Sequence, residues 1–217
     1  MGKLIGLLAL LVVNLSTVAL AECPPYDRKA WKHWIDADRD CQNTRHEVLI
    51  EESLTPVMFK TDKGCRVISG SWLGSYSGDV FTDASKLDID HLVPLKEAHQ
   101  SGGYAWDAAR RRDYANDLSD NTLIAVDRGL NRQKGAGDPS EWLPPNQAYQ
   151  TEYAEAWVAV KLKWGLTADP ADDGKGMQWC DQSFQCQLAN STIVSGNTEH
   201  EQLMMWNKCY QFRNQKQ

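Results

Sequence analysis

The chain predicts an α+β fold, and three stretches carry that prediction. Residues 87–95, LDIDHLVPL, alternate apolar and acidic side chains and run into His91 and Pro94, the pattern of a half-buried strand. Residues 121–135, NTLIAVDRGLNRQKG, pass from a short apolar strand into a short helix, with Asp127 as its N-cap and Gly135 as its stop. In residues 149–164, Tyr153, Ala156, Trp157, Val160 and Trp164 recur at helical spacing. Such a stripe reads as core rather than as a platform for stacking bases.

The remaining elements follow in chain order. Residues 1–21 read as an export leader: Lys3 is the basic start, residues 4–13 the apolar core, and Ala19-Leu20-Ala21 the small-residue cleavage site before Glu22. The apolar run is short for a membrane anchor and no second one follows, so the mature chain is expected to be secreted, extracellular or periplasmic, and off the membrane. Residues 29–34 and 44–52 read as short helices around an acidic loop. Asp36, Asp38, Asp40 and Glu47 in that loop mimic the spacing of a calcium site. Cys41 and Asn43 stand where such a loop has glycine and an apolar residue, which favours a solvated acidic turn over bound Ca²⁺.

Residues 64–81 are rich in Ser, Gly and aromatics, with Val67, Ile68 and Trp72 suggesting short strands or turns. Residues 106–118 read as a helix bearing Arg110, Arg111 and Arg112, and Trp106 and Trp142 as packing residues. Residues 167–176 form a linker rich in Pro, Asp and Gly, and the tail to 217 holds half the cysteines but too few apolar residues for its own core. Three units result: leader 1–21, main domain 22–166, and linker with Cys-containing extension 167–217.

All six cysteines follow the leader, and an even number in an exported chain reads as disulfides. No C-x-x-C or paired histidine accompanies them, which argues against zinc. The net charge of −6 excludes a strongly basic footprint, and no element is dedicated to reading base edges. Tight, sequence-specific nucleic-acid binding is therefore not expected.

The chemistry concentrates on Asp90 and His91. Neighbours on a strand face opposite ways, so this pair can flank a phosphate, with Asp90 holding a metal and neutral His91 taking a proton from the attacking water. On the following helix, Arg128, Asn131 and Lys134 are spaced three apart along one face. Asn131 offers a neutral oxygen to a hard ion, and Arg128, Arg132 or Lys134 could hold phosphate oxygens. An isolated Asp-His pair reads as a solvated turn; the compatible Asn131 and cationic helix turn the reading toward a catalytic site.

At these residues the chain resembles the HNH endonucleases of the ββα-metal (His-Me finger) class, and more closely a secreted HNH-like family with a D-x-D-H-x-V-P-L segment. Further similarity lies in Tyr26-Asp27-Arg28, Thr44-Arg45-His46-Glu47-Val48-Leu49, Ser69-Gly70-Ser71-Trp72, residues 98–103 and Glu141-Trp142-Leu143-Pro144-Pro145. The resemblance implies a ββα-metal core elaborated with helices, His91 as general base, Asp90 and Asn131 as metal ligands, and Asn121 as the asparagine that fixes the central loop. The second ligand position is histidine in many HNH proteins and asparagine in others. Mg²⁺ is the implied ion, with Mn²⁺ second, and the implied activity is cleavage of DNA, with RNA a second substrate, at little base specificity. Within the region of resemblance, Cys41 and Cys65 are the expected disulfide, tying a helix to the following strand segment. The rival expectation is a secreted disulfide-bonded binding protein that keeps the fold and uses its Cys-containing extension for attachment.

Overall fold

The structure is a computed structural model and describes residues 24–119 and 121–167. The expected leader, Cys23, Cys180, Cys186, Cys209, and the expected linker and extension beyond residue 167 lie outside the described residues.

The fold is mixed α+β. Its helices are α1 (Thr44–Glu51), α2 (Leu95–Gln100), α3 (Ala108–Ala115), α4 (Arg128–Lys134) and α5 (Gln150–Trp164), and its strands β1 (Met58–Phe59), β2 (Val67–Gly74), β3 (Asp79–Asp83), β4 (Leu87–His91) and β5 (Leu123–Asp127). One sheet is ordered β1-β2-β3; the other is the antiparallel ribbon β4-β5.

The β4-β5 ribbon divides the interior in two, and its alternation explains why. Leu87 and Ile89 of β4 share a face with Leu123 and Ala125 of β5, in the register Leu87↔Asp127 to His91↔Leu123. That face packs on Val48 and Leu49 of α1 and Val67 and Trp72 of β2. Ile124 and Val126 face the other way, into a larger core built on Tyr76, Tyr114, Tyr153, Trp157 and Val160. The predicted stripe of α5 is indeed core there: Tyr153, Trp157 and Val160 are buried, with Ala156, Trp164, Trp106 and Trp142 packed against them. Burying Tyr153 and Trp157 contributes roughly 2–3 kcal/mol each. A buried cluster ties α5 to α2, because Lys161 donates to Glu97, to Ser101 Oγ at 2.9 Å and to Thr167 O at 3.0 Å.

The turn into α4 forms as its sequence demands. Asp127 accepts a hydrogen bond from Leu130 N at 2.7 Å, and Gly135 ends the helix at φ 58°. The Ser/Gly segment forms the β2-β3 hairpin, with a register shift between Ser69 and Trp72. A Cβ at Gly70 would sit 2.7 Å from the Trp72 ring, so only glycine lets the bulged strand close over that indole.

One predicted helix does not form. Residues 29–34 make only a 3-10 turn, Arg28–Ala30, because Asp27 caps it at Lys29 N, Trp31 dives into the core and Trp34 takes φ 57°. Local helix propensity loses to burial of one indole. The predicted Cys41–Cys65 bridge is present, joining the loop before α1 to the start of β2.

Candidate active site

β4 and α4 lie side by side, and two ion pairs hold them in register. Arg128 Nε donates to Asp88 Oδ1 at 3.3 Å, and Lys134 Nζ donates to Asp90 Oδ2 at 2.6 Å. Asp88 and Asp90 are two apart on the strand, and Arg128, Asn131 and Lys134 three apart on the helix, so like faces meet. Half-buried Asn131 sits one turn from each cation.

Asp90 is 5% exposed and also accepts a hydrogen bond from the Tyr76 hydroxyl at 2.6 Å. Burial pushes the Asp90 carboxyl up and the Lys134 ammonium down, and the partner's charge opposes each shift. Lys134, expected among the cations that hold phosphate oxygens, is instead committed to Asp90 and to the His91 carbonyl at 3.1 Å. Both bonds to the Asp90 carboxylate fall on Oδ2, while Oδ1 accepts none among the described residues. Asp90 Oδ1 and the Asn131 amide oxygen are hard donors, and in kind they fit a divalent ion that keeps most of its waters.

His91 leaves the end of β4 on the opposite face. It is buried, its ring stacked at 19° on Tyr114 and tilted against Trp34 at 5.6 Å, with the His33 ring at 6.2 Å. Its Nε2 lies 3.0 Å from Ala115 O. A carbonyl only accepts, so Nε2 carries the proton and Nδ1 the lone pair. Burial pushes the imidazole down to about 3, against the pull of the Ala115 bond, which keeps the ring neutral at physiological pH.

The other expected residues lie at the rim. Arg132 is exposed and its side chain makes no hydrogen bond among the described residues. Asn121 is exposed at φ 58°, a left-handed conformation that asparagine tolerates better than most residues. Its side chain makes no hydrogen bond among the described residues; the adjoining loop is held by Asp117, which accepts from Thr122 Oγ1, Lys163 Nζ and Trp164 Nε1. Burial pushes the Asp117 carboxyl up, but hydrogen bonds from Lys163, Ser119 and Thr122 outweigh it and draw the group below its ordinary value.

Asp36, Asp38 and Asp40 bring carboxylate oxygens within 4.8 Å of one another on the surface. Cys41 there takes φ 77°, the conformation glycine would supply, and the nearby aspartates add to burial in pushing Glu47 up. No ion is needed to account for an exposed acidic turn.

Residues 44–171 match the C-terminal domain of the GmrSD restriction endonucleases, over more than half of the chain. The chain belongs to that family. It is also 40% identical, over 147 residues covering 68% of this chain and 70% of the relative, to an uncharacterized secreted protein of Arthroderma benhamiae. This GmrSD-type protein is likewise secreted, and no helix among its described residues is long and apolar enough to cross a membrane. No solved structure matches it.

The GmrSD-type domain thus begins at α1 and takes in the β4-β5 ribbon, α4 and α5. Three residues of its site escaped the sequence reading. Tyr76 lies in a Ser/Gly-rich stretch with no periodicity to mark it as buried. Asp117 falls inside the helix expected over 106–118 as one more polar residue, whereas α3 ends at Ala115 and leaves it in the loop. Glu52 accepts from Ala125 N through both oxygens at 3.0 and 3.2 Å, capping the free edge of β5 from 73 positions away.

Proposed function

We propose that this protein is a secreted, metal-dependent HNH-type endonuclease that hydrolyses phosphodiester bonds of DNA, and of RNA by the same chemistry, with little sequence specificity. The observation that carries this reading is the end of β4. There a neutral imidazole of fixed tautomer adjoins a carboxylate that faces a helix bearing Asn131 and Arg128. The antiparallel β4-β5 ribbon, with α4 following β5 directly, supports assignment to a ββα-metal core, and membership of an endonuclease domain family supports the reaction class.

In this mechanism His91 Nδ1 accepts the proton of the attacking water, and Ala115 O holds the ring in the tautomer that leaves Nδ1 free. Trp34 and Tyr114 fix the ring plane. Asp90 Oδ1 and Asn131 would hold a divalent ion, Mg²⁺ first and Mn²⁺ second, which when bound supplies Lewis-acid stabilisation of the leaving oxygen. Lys134 and Tyr76 hold the Asp90 carboxylate in place, and Arg128 offers its guanidinium to the phosphate oxygens. Arg132 adds charge at the rim, and Asn121 sets the turn that brings β5 alongside β4.

Purified mature protein should nick supercoiled plasmid with Mg²⁺ or Mn²⁺ and stop with chelator. His91→Ala should lower the rate by about 10²–10⁴-fold without changing the melting temperature by more than a few degrees. Cleavage that survives chelator, or survives loss of His91, overturns the mechanism. Failure to cleave DNA and RNA with any divalent ion favours the secreted binding protein instead.

A further inference from the structure

Beside the β4-α4 clamp lies a groove of about 570 Å³ whose walls come from α1, the start of β2 and the turn before β4. Its charged lining is Arg45, Arg66, Asp83, Asp88 and Arg128, joined by the His46 ring. Three guanidiniums face two carboxylates in a chain whose net charge is −6, so this local excess of positive charge runs against the rest of the molecule. Each cation is held differently. Arg45 Nη2 donates to Ala84 O at 3.1 Å and Leu87 O at 3.0 Å, which fixes its guanidinium on the groove wall. Arg128 meets Asp88 through Nε alone, leaving its terminal nitrogens unspent among the described residues. Arg66 is exposed and makes no side-chain hydrogen bond or ion pair among the described residues.

His46 is set as a donor. Val67 N–H donates to His46 Nδ1 at 3.3 Å, so the proton of the neutral ring resides on Nε2. The same bond ties α1 to β2, and the Cys41–Cys65 bridge ties them again just outside the groove, next to Arg66. Both walls are therefore stapled to each other independently of the clamp.

We infer that this groove binds the phosphodiester backbone next to the scissile phosphate, with Arg66, Arg128 and the His46 Nε2–H as its donors and Arg45 as fixed charge. This rests on the endonuclease reading and adds the place where the strand lies. Asp88 sits about 7 Å from Asp90 along β4 and on the same face, so a strand crossing the groove continues directly toward the Asp90 and Asn131 side of α4. The donors suit phosphate oxygens and offer no pattern for base edges, which is the basis of low sequence specificity. Few contacts also mean a shallow salt dependence.

The test is binding of a short fluorescein-labelled DNA duplex, followed by anisotropy in chelator across a salt series. Arg66→Ala should weaken binding about tenfold at low salt. Its slope of log K against log salt should fall by about 0.9. Arg66→Lys should restore the slope, while Arg112→Ala should match wild type. Arg66 is exposed, so the variants should melt as wild type does. Wild-type binding and slope in both Arg66→Ala and Arg66→Glu would overturn the groove and leave the endonuclease reading intact, provided plasmid is still cleaved and His91→Ala is dead. No duplex binding by the wild-type protein would overturn the groove, and with no cleavage either, the endonuclease reading as well.

Discussion

Glu52 shows at the scale of one residue how a fold spends a charge on its own architecture. Its carboxylate caps Ala125 N on β5, yet burial pushes it up to about 7 despite that bond. A carboxyl whose folded value exceeds its ordinary one binds more protons folded than unfolded between roughly pH 4.5 and 7, so stability falls as pH rises through that window. Glu52→Gln keeps an oxygen for Ala125 N and removes the charge. It should raise stability at pH 8 on the order of 2 kcal/mol and change little at pH 4.5, as read by urea unfolding at both pH values. Equal effects at the two pH values would show that the carboxylate is not penalised by burial.

At the scale of elements, the β4-α4 clamp is the contact on which the site depends. Lys134 and Asp90 are both buried, and a buried pair broken on one side leaves the other charge unpaired. Lys134→Met should cost about 3–5 kcal/mol in chemical denaturation, and Asp90→Asn combined with it should recover most of that loss. If the double variant is as unstable as the single one, the cost lies in packing against Trp157 rather than in the uncompensated charge. The half-buried Arg128–Asp88 pair at the other end, open to solvent on one side, should contribute under 1 kcal/mol, which leaves Arg128 free to exchange its partner for phosphate.

For the whole molecule, oxidation and fold are linked through the wall of the groove. The Cys41–Cys65 bridge closes a separation of 24 residues, and chain-entropy arguments give such a loop about 3.5 kcal/mol. Cys41→Ala with Cys65→Ala should lower the unfolding free energy by about that amount in urea. A loss below about 1 kcal/mol would mean that the His46–Val67 bond and the core contacts of α1 already hold the loop. Mass spectrometry of the secreted protein should find no free thiol among its six cysteines; two or more would reopen zinc binding by the cysteines.

Local pattern determined much of this protein. Strand alternation in 87–91, the Asp127 cap and Gly135 stop of α4, and the aromatic stripe of α5 were legible because each is written within one turn or one strand, where period and capping act. Asp90, His91, Arg128 and Asn131 could be picked out for the same reason, as chemistry placed at regular spacing. Tertiary structure alone decided which charges were spent inside. Lys134 became the buried partner of Asp90, Tyr76 its second donor, Glu52 the cap of a strand 73 positions away, and residues 29–34 gave up a helix to bury Trp31. Long-range partners leave no period in a sequence, because burial makes an unpaired polar group costly only once the chain has closed around it.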